Sequence, residues 1–325
     1  MKLLFIGLGS IGLRHLNNCL ELGYSDVYIY SSSFKNYELV SSDRCFTDFA
    51  DALSSHVYDA IFVSTPTSSH IDIVKCLIDT PHKCIYLEKP LSDSLENIDI
   101  IASSRFNSKK NMVIGYDLRF DPGLNKCISW IEEGAIGKPL SFNAFVGSYL
   151  PDWRSNIDYK ESISAKKKSG GGVMLDLAHE FDYLHFLFGN LRRLSCFYQN
   201  SGVLDIETED IANVIFDFSS GVSGSLSLDY LQREYTRYCR ITGSKGSLLW
   251  DYATNSVTLF KGNKEKQVFN YSNFSRDDRF KEILSCFLSH SFTDKRLAGF
   301  DEALFNLNII LNAKKASETN NVIIF

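Results

Sequence analysis

Residues 2–12 read KLLFIGLGSIG, and how this stretch divides decides the fold. Leu3–Ile6 is a short apolar run of the kind that fills a strand buried on both faces. Gly7, Gly9 and Gly12 follow in a G-x-G-x-x-G spacing, and Ile11–Leu22 then carries apolar residues at helical intervals. In a strand–turn–helix unit each glycine has a separate task. Gly7 permits the tight turn, Gly9 lets the backbone approach a pyrophosphate, and Gly12 allows the helix to pack closely on the strand. The helix N-terminus adds unpaired N–H groups and its dipole, both favourable to an anion. Gly7, Gly9, Ser10, Ile11 and Gly12 are therefore candidate dinucleotide contacts. A ligand-free glycine turn is the alternative, and the strand before and helix after argue against it.

Outward from this unit, DVYIY (26–30), AIFVS (60–64), KCIYLE (83–88) and MVIGY (112–116) read as further buried parallel strands. Helical spacing at Ile71–Leu77 and Leu95–Ser103 separates some of them, a β-α-β rhythm that implies a doubly wound parallel sheet. Ligands in such sheets bind beyond the carboxyl ends of the strands, so the strand ends carry the next candidates. After the second strand comes Tyr30-Ser31-Ser32-Ser33-Phe34-Lys35, with no acid to bind a ribose 2′-hydroxyl. Ser31, Ser32 and Lys35 suit a 2′-phosphate instead, which favours NADP over NAD. The third strand runs into Thr65-Pro66-Thr67, whose hydroxyls can meet ribose or phosphate, and His70 either joins them or caps the helix that follows. Glu88 and Lys89, held by Pro90, end the fourth strand where packing asks for no charge. A lysine there can stabilise a developing alkoxide, and Glu88 can orient it or hold the nicotinamide ribose.

The chain has 325 residues, 44% hydrophobic and 22% charged, enough for two domains, which we divide at 1–120 and 121–325. A net charge of −5 with no basic block beyond Lys166–Lys168 argues against nucleic acid as a partner. No apolar run approaches the roughly 20 residues that span a bilayer, and the glycines with Arg14 and His15 interrupt a signal-like N-terminus. The eight scattered cysteines form no C-x-x-C pair and suit buried free thiols in a reducing cytoplasm. No metal is expected.

Beyond Asp121-Pro122-Gly123 the rhythm changes. A helix over Leu124–Glu133 leads to the strand SFNAFVGSYL (141–150) and a polar loop. From about Leu194 to Tyr271 strands alternate with turn signals, and helical patterns at Asp278–Leu288 and Glu302–Ala316 follow. This implies an α+β domain with a large, mostly antiparallel open sheet.

Within it lies SGGGVMLDLAHEFDYLHFLFG, Ser169–Gly189, read as one helix. Asp176 and His179 are three apart and would share a helix face. They suit an acid/base pair, a satisfied pair of core residues, or, with Glu180, metal ligands; Glu180 is expected to point away from the other two.

GLGSIG, STPTSSH, EKPL, GYDLRF and the GGG–Asp–His segment, in this order, resemble the Gfo/Idh/MocA family of NAD(P)-dependent oxidoreductases. The resemblance spans nearly the whole chain, ITGSKGSLLWD included. It implies an N-terminal Rossmann domain, a C-terminal α/β domain whose open sheet serves homo-oligomerisation (a dimer or tetramer), and hydride transfer at a carbon of a sugar, polyol or nucleotide sugar. By position, Lys89 resembles the family's catalytic lysine, His179 its acid/base histidine and Asp176 the neighbouring aspartate. The family commonly spaces those last two four apart, not three.

The loop from Gly147 to Gly172 mixes Trp153, Arg154, Tyr159 and Lys160, rings and cations suited to a sugar-type substrate bearing phosphate or carboxylate; Arg119 joins them as a candidate. A folded surface loop is the plainer alternative. The loop resembles that of family members tied to surface-polysaccharide and nonulosonic acid sugars. Besides the dehydrogenase reading stand a catalytically silent dinucleotide-binding sensor or assembly protein, and reduction of an imine or tetrapyrrole.

Overall fold

The structure, a computed structural model, describes residues 1–32, 39–78, 80–103, 111–154 and 157–325. The chain forms two compact units, Met1–Asp117 with Arg276–Leu304, and Leu118–Ser275 with Phe305–Phe325. After the chain has built the second unit as far as Ser275, residues 276–304 return to the first. The helical periodicity there did not reveal that return, because it marks a buried face and not its partner.

In the first unit, β1 (Leu3–Ile6), β2 (Val27–Tyr30), β3 (Cys45–Phe46), β4 (Ala60–Val63), β5 (Cys84–Leu87) and β6 (Asn111–Ile114) form one sheet. Their order is β3-β2-β1-β4-β5-β6, parallel throughout. Helices α1 (Ser10–Glu21), α2 (Phe49–Ser55), α3 (His70–Leu77) and α4 (Ile98–Ser103) connect them. Both faces of such a sheet are covered, which is why β1, β4 and β5 are apolar without alternation and wholly buried. Phe5 and Phe62 stack across β1 and β4 at 4.6 Å. The two-residue β3 and the short α2 escaped the sequence reading, being too brief to show a period. A C-terminal helix, Arg276–Leu288, packs on α1, with Phe280 edge-on to His15 at 5.5 Å. Its Phe287 lies edge-on to Phe62 at 5.7 Å and to Tyr86 at 5.5 Å.

The second unit holds α5 (Pro122–Glu132), α6 (Val173–Asp176), α7 (His179–Phe188) and a nine-stranded sheet. Counting the helix Arg276–Leu288 as α8, α9 is Phe300–Thr319, whose residues from 305 onward belong to this unit. The strands are β7 (Pro139–Gly147), β8 (Leu191–Gln199), β9 (Ile211–Phe218), β10 (Ser223–Asp229), β11 (Thr236–Gly243), β12 (Gly246–Asp251), β13 (Ser256–Lys261), β14 (Lys266–Asn270) and β15 (Ile323–Ile324). They run in the order β14-β13-β12-β11-β7-β10-β9-β8-β15. Only the β7–β10 pair is parallel; the rest are antiparallel. Period-2 patterning divides its faces: Ala212, Val214 and Phe216 are buried, whereas Asn213 and Ile215 between them are exposed. Helix residues cover the buried face, Phe181 against Phe216 and Tyr183 against Trp250. Asp121 caps α5 through the Gly123 and Leu124 N–H groups and accepts from the Tyr271 hydroxyl at 3.0 Å.

Ser169–Gly189 is not the single helix its pattern suggested. Helix α6 ends at Asp176, and α7 begins at His179 after Leu177 and Ala178. The Glu180 N–H reaches back only three residues, to the Leu177 carbonyl, so the four-residue ladder is interrupted between Asp176 and His179. Apolar periodicity runs straight through this break because Val173–Leu175, Leu177 and Ala178 are all buried, inside the helices and out.

Candidate functional site

In the first unit the glycine-rich turn has the shape its spacing implied. Gly7 takes φ +84°, and a Cβ there would lie 2.9 Å from the Ser64 carbonyl oxygen and from Thr65 Cγ2. One on Gly12 would overlap the Gly7 carbonyl oxygen. At Gly9 the space is open, and Gly9 and Ser10 are exposed. Gly9 is the N-cap of α1, with no side-chain capping bond, so the first-turn N–H groups of Ser10, Ile11 and Gly12 are left for an outside acceptor. This cradle fits a dinucleotide pyrophosphate: room over Gly9, N–H donors beneath it, and no side chain in the way.

Because β1, β4 and β5 are adjacent and parallel, Gly7, Ser64–Thr67 and Glu88–Lys89 all leave the same edge of the sheet. Thr65 Oγ1 accepts from the Ser69 hydroxyl at 2.9 Å, Pro66 is exposed and Thr67 is buried. His70 is buried between two backbone carbonyls, with Nδ1 2.9 Å from Pro90 O and Nε2 3.1 Å from Thr65 O. Burial lowers its pKa against the opposing pull of those carbonyls, so the ring is neutral and donates to one of them. His70 thus ties the Thr65 turn to the Pro90 turn. Ser31 and Ser32 follow β2, Ser32 exposed; Lys35 lies outside the described residues.

Glu88 is buried, and His15 of α1, a residue the sequence reading left aside, meets its carboxylate: His15 Nε2 is 2.5 Å from Glu88 Oε1. Its other oxygen accepts from the Lys89 N–H at 3.2 Å. Lys89 is half-buried and its peptide bond to Pro90 is cis.

In the second unit Asp176 and His179 are both half-buried. Asp176 Oδ2 accepts from the Tyr230 hydroxyl at 2.5 Å. Burial, and next the charge of Asp176, hold the Tyr230 pKa well above its ordinary value, so it stays a donor. Tyr230 also carries Trp153 edge-on at 5.3 Å, and Trp153 Nε1 donates to Ser148. Trp153, Arg154 and Tyr159 line a cleft with Leu150, Ile157 and Ser164. Lys160 is exposed and paired with Asp205 at 2.7 Å. Glu180 is buried in an ion pair with Arg237 at 2.9 Å.

Glycines 171 and 172 have a local reason. A Cβ on Gly171 would strike the Ile163 and Ser164 carbonyls, and one on Gly172, at φ +121°, would lie 2.5 Å from Glu209 Oε1. Arg119, offered as a substrate contact, is fully buried; its Nε donates to Asp182 Oδ2 at 2.9 Å and its Nη2 to Oδ1 at 2.7 Å. Asn306 donates to the same Asp182 at 2.7 Å. Long-range pairings of this kind leave no local sequence signal.

Comparison with known proteins gives two family matches: residues 1–115 match the oxidoreductase family with an NAD-binding Rossmann fold, and 125–249 match the GFO/IDH/MocA C-terminal domain. Myo-inositol 2-dehydrogenase of Thermotoga maritima is 24% identical over 308 residues, covering 89% of this chain and 88% of that protein. An oxidoreductase from Agrobacterium radiobacter, solved with NAD+, L-tartaric acid and magnesium, superposes with a TM-score of 0.84 at 17% identity, covering 100% of this chain and 98% of that one. Myo-inositol 2-dehydrogenase of Lactobacillus plantarum gives 0.81 at 18%, covering 100% and 99%.

Proposed function

The chain belongs to the Gfo/Idh/MocA oxidoreductases, and from that premise we propose that it moves a hydride between nicotinamide and a secondary alcohol or ketone carbon of a sugar, polyol or nucleotide sugar. The observation that carries this reading is the common sheet edge where the Gly7–Gly12 cradle and Lys89 both emerge. Relatives named for inositol oxidation support the substrate class. When bound, the dinucleotide supplies the hydride acceptor or donor.

In the oxidative direction His179 takes the hydroxyl proton and Lys89 stabilises the alkoxide by its positive charge. Asp176 is the residue of this reading that orients His179. Gly9, Ser10 and Ile11 hold the pyrophosphate, with Thr65 and Thr67 beside the ribose. The absence of an acid after Tyr30 supports NADP ahead of NAD. Trp153, Arg154, Tyr159 and Lys160 are the substrate contacts of this reading; Arg119 would have to leave Asp182 to join them, and we assign it to the fold. Eight free cysteines suit a reducing cytoplasm, and no helix of the described residues is long and apolar enough to cross a membrane. The outer sheet face, with Phe197 71% exposed and Ile215 53%, supports a homo-oligomer through that sheet. Light scattering tests that part.

The main test mixes protein and NADP+ or NAD+ with polyols, sugars, nucleotide sugars and nonulosonic acids, the last two because the loop resembles surface-polysaccharide enzymes. Nicotinamide absorbance should rise with one class, and Lys89→Ala or His179→Ala should abolish the rise while dinucleotide affinity holds. Dinucleotide binding with no turnover of any compound overturns the reading in favour of the silent sensor.

A further inference from the structure

We infer that His15 is a positioning residue for Lys89, joining the helix that receives the dinucleotide to the turn that carries the lysine. The inference rests on the proposed catalytic role of Lys89. His15 lies in α1 three residues beyond Gly12 and is fully buried among Phe62, Tyr86 and Phe280. An isolated histidine in such a place is a filler. This one has its Nε2 on Glu88 Oε1 at 2.5 Å, while Nδ1 is buried without a hydrogen-bond partner.

That asymmetry selects one protonation form. An imidazolium, or the Nδ1–H tautomer, would leave a buried N–H unpaired, a costly state. The neutral Nε2–H tautomer leaves only a lone pair unmatched and directs its proton at Glu88. Glu88 is buried too, and its second oxygen takes the Lys89 backbone N–H. Gly115 closes the remaining side: a Cβ there would come within 3.1 Å of Glu88 Oε1 and 2.9 Å of the Tyr86 hydroxyl. The carboxylate is therefore held from two directions, by His15 and by the Lys89 backbone. A shift of α1 on binding pyrophosphate is felt at Lys89 through two hydrogen bonds.

The test compares His15→Leu, His15→Gln, Glu88→Gln and Lys89→Ala in the whole protein, reading dinucleotide affinity by fluorescence and turnover on the substrate found above. His15→Leu should lower kcat at least tenfold with dinucleotide Kd moved less than threefold, a single hydrogen bond's worth. His15→Gln, which returns a donor near the Nε2 place, should recover most of that loss. Equal losses in His15→Leu and His15→Gln, or full turnover in both, overturn the inference. Full turnover in Lys89→Ala instead overturns the reading it rests on. Should the variants fail to fold, a long-range ¹H–¹⁵N spectrum of histidine-labelled wild-type protein remains. It should contain a ring with through-space contacts to Phe62 and Tyr86 that carries its proton on Nε2 and not on Nδ1. The absence of such a ring overturns the inference.

Discussion

The Tyr230 hydroxyl donates to Asp176 at 2.5 Å across 54 residues of sequence, from the end of β10 to the end of α6. The ring is fully buried, so the hydroxyl cannot turn to water, and Asp176 is fixed from below. Tyr230→Phe removes that bond together with the hydroxyl's contact to the Ser164 side chain, and leaves the ring in place. A hydrogen bond to a charged group contributes about 1.5–3 kcal/mol, so kcat should fall about tenfold or more while dinucleotide affinity stays constant. Steady-state kinetics and a binary fluorescence titration check it; an unchanged kcat would separate Asp176 from catalysis.

Gly12→Ala tests the cradle. Its methyl group would overlap the Gly7 carbonyl oxygen, and that atom is backbone, unable to step aside without moving β1 or α1. Overpacking of this kind costs roughly 1–3 kcal/mol. The melting temperature should drop, and the further rise that wild-type protein gains from added dinucleotide should shrink or vanish. Thermal shift with and without NADP+ and NAD+ measures both.

Breaking the Arg119–Asp182 pair from one side leaves a buried charge without its partner. Asp182→Leu should therefore lower unfolding free energy by about 3–5 kcal/mol, and Arg119→Met with Asp182→Leu should restore much of it. Urea unfolding of the single and double variants decides the matter. A double variant that is stable yet inactive would return Arg119 to the substrate side.

Acid should weaken the first unit through His70. Its folded-state pKa is lowered by burial from 6.5, so as pH falls the unfolded chain takes up the proton first. The stability held above about pH 6.5 is then lost downward, at up to about 1.4 kcal/mol per pH unit for one proton. Denaturation between about pH 7.5 and 5 should show a shallower slope in His70→Asn. An identical slope would mean the proton is taken elsewhere.

Much of this was legible before any coordinates. The glycine spacing could be read because backbone sterics admit no other residue at Gly7 or Gly12, and the buried strands because α/β sheets leave no polar face. What stayed hidden was pairing at a distance. Nothing local to Arg119 announces Asp182, 63 residues on, and nothing at His15 announces Glu88, 73 residues on. The break between Asp176 and His179 was hidden for another reason: its two linking residues are as apolar and buried as the helices they separate, so the pattern has no seam where the backbone does.

The return of Arg276–Leu288 to the first unit also governs the order in which the protein can be made. A nascent chain that has emerged only as far as residue 117 carries all six strands of the parallel sheet. It lacks Phe280 and Phe287, the rings that close over His15, Phe62 and Tyr86. That apolar wall must wait at the ribosome exit until most of the chain has been translated. A chimera exchanging residues 1–117 alone would take the wall without its cover, so the two segments form one packing unit.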